Sequence, residues 1–130
     1  PEMKTILTTA FTAFLIVGPA MAVFADSTGT FTGASDHITT GGVTITENAD
    51  GTSTITFDAA FSLDGAPDPQ VGFGKDGTFS STSNLGPLKS ITGAQSYIVP
   101  AGLDISDFNE LYIWCVKFAV PLGVAQLTSS

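Results

Sequence analysis

The stretch VTITENADGTSTITF, residues 43–57, decides the fold class of this chain. Apolar and polar residues alternate along 43–46 and again along 54–57. Such alternation is typical of strands that bury one face. Between the two segments lie Asn48 and Gly51, residue types that favour tight turns. The stretch therefore predicts a β-hairpin.

Turn residues divide the rest of the chain into short segments of the same kind. No segment sustains the helical spacing of apolar residues. The segment 104–110 predicts a short turn or a single helical turn, because Asp and Ser cap exposed amides. Further short strands are predicted at 29–32, 60–63, 70–74, 96–99 and 122–127. We therefore expect an all-β fold, a single-domain antiparallel β-sandwich or flattened barrel of about eight or nine strands.

The segment 111–118 differs from the other predicted strands because both of its faces are apolar. A strand of this kind is usually central and covered on both sides. We therefore expect Cys115 to be partly or wholly buried. The two faces carry Tyr112, Trp114, Val116 and Phe118 on one side and Leu111, Ile113 and Cys115 on the other.

Residues 1–25 have the layout of a secretory signal peptide. A charged start at the plausible initiator Met3 precedes the uncharged segment 6–17, which is shorter than the roughly 20 residues of a membrane-spanning helix. Small residues follow at cleavage spacing, and we favour cleavage after Ala25. A retained N-terminal anchor or an amphipathic helix is the alternative. Residues 1–2 would be cloning residues or an upstream remnant of the reading frame.

Removal of the predicted signal helix leaves residues 26–130, which are too few for two independent cores and predict one domain. The chain has a net charge of −8 and no arginine, and it keeps that charge when Glu2 and Lys4 are removed together. This balance argues against nucleic acid and anionic lipid as partners, since little positive charge is available to neutralise phosphate. We expect an exported protein, periplasmic, extracellular or at the cell surface, with no stable membrane insertion after cleavage.

Cys115 and His37 are the only cysteine and the only histidine. A cysteine hydrolase would need them as a pair, but a cysteine inside an apolar strand is poorly reactive. No residue spacing supports a zinc site, and no glycine-rich loop with phosphate-binding context is found. These observations argue against most classes of enzyme, and the residues alone leave it open whether the chain is an enzyme.

Three interpretations of Cys115 remain open at this point. As a small buried hydrophobe it needs no chemistry. As a redox thiol it needs access to solvent and a neighbour that stabilises the thiolate, for which His37 and Lys117 are candidates. As an axial ligand of haem iron it would share the metal with His37, in an apolar cleft that Trp114 and other aromatic side chains would line.

Acidic residues between the predicted strands raise the question of calcium. Asp64 and Asp68, with Asp76 downstream, offer carboxylate oxygens, the ligands that calcium prefers. Their spacing fits no dedicated calcium loop, and a solvated acidic loop is the alternative.

Segments distributed over residues 29–127 carry a resemblance to a known family. In this order they resemble the DM-thirteen (DM13) electron-transfer family, whose domains lie beside DOMON domains or stand alone in exported bacterial proteins. The segments are Gly29-Thr30-Phe31, His37 with 41–45, Phe61 with 64–68, 93–97 with Pro100, and Ile113-Trp114-Cys115 with Phe118 and Gly123.

The resemblance implies an extracytoplasmic β-domain that takes part in redox reactions through its cysteine. Cys115 matches the family's cysteine position and His37 its histidine position, so the redox group would be a bare thiol or a bound group such as haem. A separate redox partner protein would supply or accept the electrons. The alternative is a non-catalytic binding or adhesion domain outside the cytoplasm, with or without calcium, in which Cys115 is core packing.

Overall fold

The computed structural model describes residues 26–129. The predicted signal peptide and its cleavage site, at 1–25, lie outside the described residues. Residues 26–129 form strands and two 3₁₀ turns, so the all-β prediction is confirmed. No helix in this part of the chain is long and apolar enough to cross a membrane.

The described strands are numbered in chain order. They are β1 (Asp26–Gly33), β2 (Thr39–Thr40), β3 (Gly42–Glu47), β4 (Ser53–Phe57), β5 (Ser62–Leu63), β6 (Pro69–Lys75), β7 (Thr78–Phe79), β8 (Gly86–Pro87), β9 (Gln95–Val99), β10 (Glu110–Cys115), β11 (Val120–Gln126) and β12 (Thr128–Ser129).

One curled antiparallel sheet forms a half-barrel. Its strand order is β7-β6-β10-β11-β1-β3-β4-β9, while β8 and β12 pair with β6 and β1, and β2 pairs with β5. β1 joins the two halves of the sheet, because residues 31–33 pair with β11 and residues 26–30 pair with β3. The described residues form twelve strands, more than the eight or nine predicted, because several are short two-residue strands beside the main path.

The hydrophobic core receives side chains from both halves of the sheet, which bury their alternate residues against one another. Phe31, Phe57 and Phe61 form its aromatic centre, with ring centroids 4.7–5.5 Å apart. The core consists of Phe31, Val43, Ile45, Ile55, Phe57, Phe61, Leu63, Val71, Phe73, Tyr97, Val99, Leu111, Ile113, Cys115, Leu122 and Ala125.

The hairpin predicted at 43–57 is confirmed as β3 and β4. Val43 lies opposite Phe57, and the apolar side chains of both strands face the core. The turn closes with a hydrogen bond of 3.1 Å from the Gly51 amide to the Asn48 carbonyl. Gly51 has φ of 90°, a conformation that glycine adopts without strain.

Most of the remaining predicted elements are present, with shifted ends. The segments 29–32, 70–74, 96–99 and 122–127 correspond to β1, β6, β9 and β11. The segment 60–63 is reduced to the two residues of β5, because the chain first turns through a hydrogen bond from the Phe61 amide to the Asp58 carbonyl. The predicted turn at 104–110 contains the 3₁₀ turn Ile105–Asp107, which the Asp104 side chain caps.

β10 is the central strand predicted from its apolar composition, since it lies between β6 and β11. Leu111, Ile113 and Cys115 face the core. Cys115 is only 1% exposed, so the expected burial of the cysteine is confirmed.

The same strand ends earlier than predicted. Its last residue, Cys115, pairs with Val120 of β11, so residues 116–119 form the reversal between the two strands. Val116 and Phe118 are 46% and 62% exposed, and the prediction that they continue an apolar face was wrong. Because β10 and β11 pair antiparallel through a short connection, residues 116–119 form the turn and their side chains are not part of the sheet.

The close approach of β11 to β2 gives a testable consequence. A Cβ on Gly123 would lie 2.7–2.9 Å from side-chain atoms of Thr39, whose hydroxyl donates a 2.8 Å hydrogen bond to the Leu122 carbonyl. Because Thr39 is buried and held by this bond, Gly123→Ala should lower the free energy of unfolding by about 1–3 kcal/mol. Urea unfolding measures the loss.

Gly102→Ala provides the matched control. A Cβ at Gly102 meets no atom within 4 Å. This variant should be neutral or should stabilise the fold by about 0.4–1 kcal/mol, because alanine restricts the unfolded chain. Equal unfolding midpoints for the two variants would contradict the contact between Gly123 and Thr39.

Candidate functional site

Cys115 lies at the end of β10, between two proline-containing strands. It pairs with Pro69 of β6 and with Val120 of β11. Its thiol donates a hydrogen bond to the carbonyl oxygen of Pro67, with a sulfur–oxygen distance of 3.2 Å. A donating thiol is protonated, so the structure shows Cys115 as a covered, neutral thiol.

The segment that covers the sulfur is residues 64–68, which we name the covering loop. Its first residue, Asp64, binds the ring of His37 through a carboxylate oxygen 2.8 Å from Nδ1. At the other end the carbonyl of Asp68 accepts a 3.4 Å hydrogen bond from the Val116 amide. The loop is therefore attached on both sides of the carbonyl that meets the thiol.

His37 lies in the turn between β1 and β2. An ionised carboxylate can only accept hydrogen bonds. Nδ1 of His37 therefore carries a hydrogen and donates the hydrogen bond to Asp64. This hydrogen bond first, and then one from the Ile38 amide at 3.0 Å, hold the pKa of Asp64 below its usual value of 3.8. The two side chains are 28% and 38% exposed, so solvent screens the attraction between them.

His37 and Cys115 are connected through the covering loop. Asp64, which binds His37, lies three residues before Pro67, which binds Cys115. Within residues 26–129 no hydrogen bond joins the imidazole to the thiol directly; the one partner of the Cys115 sulfur is the Pro67 carbonyl. The arrangement suits a histidine that holds the cover in place.

A family model for electron-transfer domains, DM13, matches residues 30–127. The chain belongs to the DM13 electron-transfer family. The resemblance predicted from the sequence is thereby confirmed, and the membership gives this DM13 domain a role in electron transfer. No curated protein and no solved structure matches the chain.

Trp114 of the DM13 domain lies on the other side of the sheet from Cys115. Consecutive residues of a strand point to opposite faces, and Cys115 belongs to the core while Trp114 stacks on Phe79. The two ring centroids are 4.4 Å apart and the planes are 6° from parallel. The structure therefore separates the predicted cofactor-lining tryptophan from the thiol.

The surroundings of Cys115 do not fit a haem group whose iron would be bound by the cysteine sulfur. An axial ligand must face an open cleft, but this sulfur is enclosed by core side chains and the Pro67 carbonyl. One cavity of about 270 Å³ opens between Ile45, Phe73 and Phe108, and a shallow one lies on the convex face. Neither cavity is lined by Cys115 or His37.

The acids considered for calcium are not gathered into one site. Asp68 and Asp76 flank opposite ends of β6, a strand about 20 Å long. Asp64 binds His37, and Asp76 exchanges hydrogen bonds with Asn109. Among residues 26–129 no group of three or more His, Cys, Asp or Glu side chains is arranged to hold a metal ion.

Two features of the site were not predicted from the sequence. The Pro67 carbonyl that covers the thiol is a backbone group, and residue types give no signal for it. Glu110 was predicted to lie in a turn, but it begins β10 and is buried beside Tyr112. Its position two residues before Tyr112, in register with an apolar strand, is the signal that would have placed it in the sheet.

The contact between Asp64 and His37 predicts a pH dependence of stability. The folded pKa of Asp64 is lowered, so its contribution is present above the unfolded value of 3.8 and is lost as the pH falls below it. Asp64→Asn should therefore be less stable than the unmutated protein above pH 3.8, and the difference should shrink at lower pH. Chemical unfolding across the acid range measures it, and parallel stability curves would contradict it.

Proposed function

We propose that this DM13 domain is an exported electron-transfer module whose redox group is the bare thiol of Cys115. The observation that carries the proposal is the hydrogen bond from this thiol to the Pro67 carbonyl. It places one short loop, 64–68, against the only thiol of an electron-transfer domain. Movement of that loop exposes the sulfur and leaves the sheet intact.

The reaction proposed is thiol–disulfide exchange. After the loop opens and the Cys115 proton passes to solvent, the thiolate attacks a disulfide of an acceptor protein. A sulfur–sulfur bond forms to Cys115, the acceptor's own disulfide breaks, and its second sulfur leaves as a thiolate. A donor protein with two thiols then attacks the Cys115 sulfur and releases the reduced acceptor. The donor's second thiol closes the donor disulfide and frees Cys115, so two electrons have passed.

His37 acts in this proposal by holding the covering loop. The hydrogen bond between His37 and Asp64 joins two partly exposed side chains, so a partner that approaches this surface can compete for either one. Loss of that contact weakens the attachment of Asp64, which lies three residues from Pro67 and is otherwise held by two hydrogen bonds with the Ile38 backbone. The thiol thus stays covered until a partner binds.

Reaction of Cys115 with the small disulfide 5,5′-dithiobis(2-nitrobenzoic acid) tests this function. If the loop opens locally, the thiol should react with an apparent opening free energy smaller than that of global unfolding. Asp64→Asn should speed the reaction because loss of the carboxylate charge weakens the histidine contact. Asp104→Asn makes the same change of charge at the cap of a 3₁₀ turn elsewhere and should leave the rate unchanged. Absorbance of the released thiolate follows the reaction.

A buried cysteine placed elsewhere in the core provides the matched control. Val43 is 3% exposed on β3, so Val43→Cys in a Cys115→Ala background should react only through global unfolding. If Cys115 reacts no faster than this control at equal stability, the redox proposal fails. The thiol would then be core packing.

We also propose that the domain acts outside the cytoplasm, after removal of residues 1–25. The signal-like layout of residues 1–25, with small residues at cleavage spacing before Asp26, supports this. Expression in an exporting host should yield a mature protein whose intact mass corresponds to a start at Asp26. Ala25→Arg should block the processing, since the signal peptidase requires a small residue. A protein that stays in the cytoplasm and retains residues 1–25 would contradict export.

A further inference from the structure

Tyr112 occupies the middle of β10 on the face opposite Leu111 and Ile113. Although it faces away from the core, it is 2% exposed. Phe79 of β7 lies edge-on against its ring, with centroids 5.6 Å apart. On the neighbouring strand Gly74 leaves room for the ring, because any Cβ there would collide with it. The sheet therefore holds this tyrosine in a close-fitting site.

Glu110 places a buried base beside that tyrosine. It is 5% exposed, and Oε1 accepts hydrogen bonds of 2.9 Å from the Tyr112 hydroxyl and from the Gly77 amide. Oε2 accepts one of 2.8 Å from Nε2 of Gln126. All three partners are donors, which is the arrangement that an ionised carboxylate needs. No lysine or histidine of residues 26–129 lies within ion-pair distance of it.

Burial first, and then the hydrogen bond and charge of Glu110, raise the pKa of Tyr112 to about 12. The phenol therefore stays protonated at physiological pH. In the resting state the hydroxyl proton stays on the Tyr112 oxygen and is hydrogen-bonded to Glu110.

Trp114 connects this buried pair to the surface. It is partly exposed on the same face, stacks on Phe79 at 4.4 Å, and meets Tyr112 edge-on with centroids 6.2 Å apart. Phe79, Tyr112 and Trp114 form a continuous set of rings from the buried hydroxyl to solvent, which we name the aromatic cluster. Electrons pass more readily between closely packed aromatic rings than through saturated side chains.

We infer that the aromatic cluster is a one-electron transfer site, in which Tyr112 exchanges an electron with a partner through Trp114 while its proton moves to Glu110. The inference rests on the electron-transfer part of the proposed function, and it is independent of the Cys115 thiol. The partner's redox group is a high-potential one-electron oxidant, a metal centre or an organic radical.

The step is balanced in charge and atoms. The oxidant takes one electron from Tyr112, the phenolic O–H bond breaks, and the proton crosses the 2.9 Å between the two oxygens to Oε1 of Glu110. The products are a neutral tyrosyl radical, a neutral carboxylic acid and the reduced oxidant. An electron from a donor reverses every step. Because the site holds a buried negative charge at rest, oxidation leaves it neutral, and burial favours that change.

Tyr97, the other tyrosine of the chain, lacks these features. Its hydroxyl donates to the amide oxygen of Gln95 at 2.5 Å and accepts from the Lys89 amide at 2.9 Å. An amide oxygen is a far weaker base than a carboxylate. The Lys89 ammonium also lies 4.9 Å from the Tyr97 ring centroid, where its positive charge opposes oxidation. Tyr97 is therefore a matched control for Tyr112.

Photo-oxidation of the purified full chain tests the inference, with tris(bipyridine)ruthenium(II) as sensitiser and persulfate as electron acceptor. Electron paramagnetic resonance should detect a tyrosyl radical in the unmutated protein. Tyr112→Phe should abolish the signal, and Tyr97→Phe should leave it unchanged. A signal that survives Tyr112→Phe, or one that disappears in Tyr97→Phe, would overturn the proposal.

The role of Glu110 has its own tests. Glu110→Gln keeps the size of the side chain but removes the base, so the radical yield should fall sharply. Formation of the radical in the unmutated protein should also be slower in deuterated water, a readout that needs no folded variant. A normal yield in Glu110→Gln, or the absence of an isotope effect, would show that the proton does not go to Glu110.

Cys115→Ala separates this proposal from the thiol mechanism. The tyrosyl radical should persist in Cys115→Ala, and thiol–disulfide exchange at Cys115 should persist in Tyr112→Phe. Loss of the radical in the cysteine variant would contradict an independent aromatic site. A failure of the disulfide reaction alone would reject only the thiol.

Discussion

The pairing of β10 with strands on both of its sides is the constraint on which the rest of the structure depends. A strand with neighbours on both sides cannot rotate, so its successive side chains must point to opposite faces. The core face ends at Cys115, and the convex face carries Glu110, Tyr112 and Trp114. One strand thus holds two groups of different chemistry back to back, a thiol and a phenol with its base.

The two groups have different energetic costs. A protonated thiol is a small apolar group, and its burial among core side chains is favourable. Burial of a carboxylate costs several kcal/mol, and three hydrogen bonds to Glu110 act against that cost. An apolar residue at this position would avoid that cost. On stability grounds, the least expected feature of the described residues is therefore this buried carboxylate, which lies beside a tyrosine and has no ion-pair partner among them.

The covering loop and the sheet also differ in how firmly they are held. Strands of the sheet are fixed by backbone ladders and by the core. The covering loop 64–68 depends on a few contacts, among them the partly exposed pair of Asp64 and His37. Regions with few buried contacts open at a lower free energy than the whole domain. The proposed thiol chemistry depends on this difference, because the loop must open while the sheet stays folded.

The sequence by itself determined the fold class, the hairpin at 43–57 and the central position of β10, because alternation and two-sided apolarity depend on neighbours along the chain. The family resemblance was also visible there, since the resembling segments follow one another along residues 29–127 and the family model matches residues 30–127. Only the tertiary structure decided that the strand stops at Cys115, that Pro67 covers the sulfur, and that Glu110 meets Tyr112 and Gln126. The contacts of Pro67 and Gln126 join residues distant in the chain, and the register and curl of the sheet set them. The contact of Glu110 with Tyr112 requires that both residues lie in one strand, which the sequence pattern did not indicate.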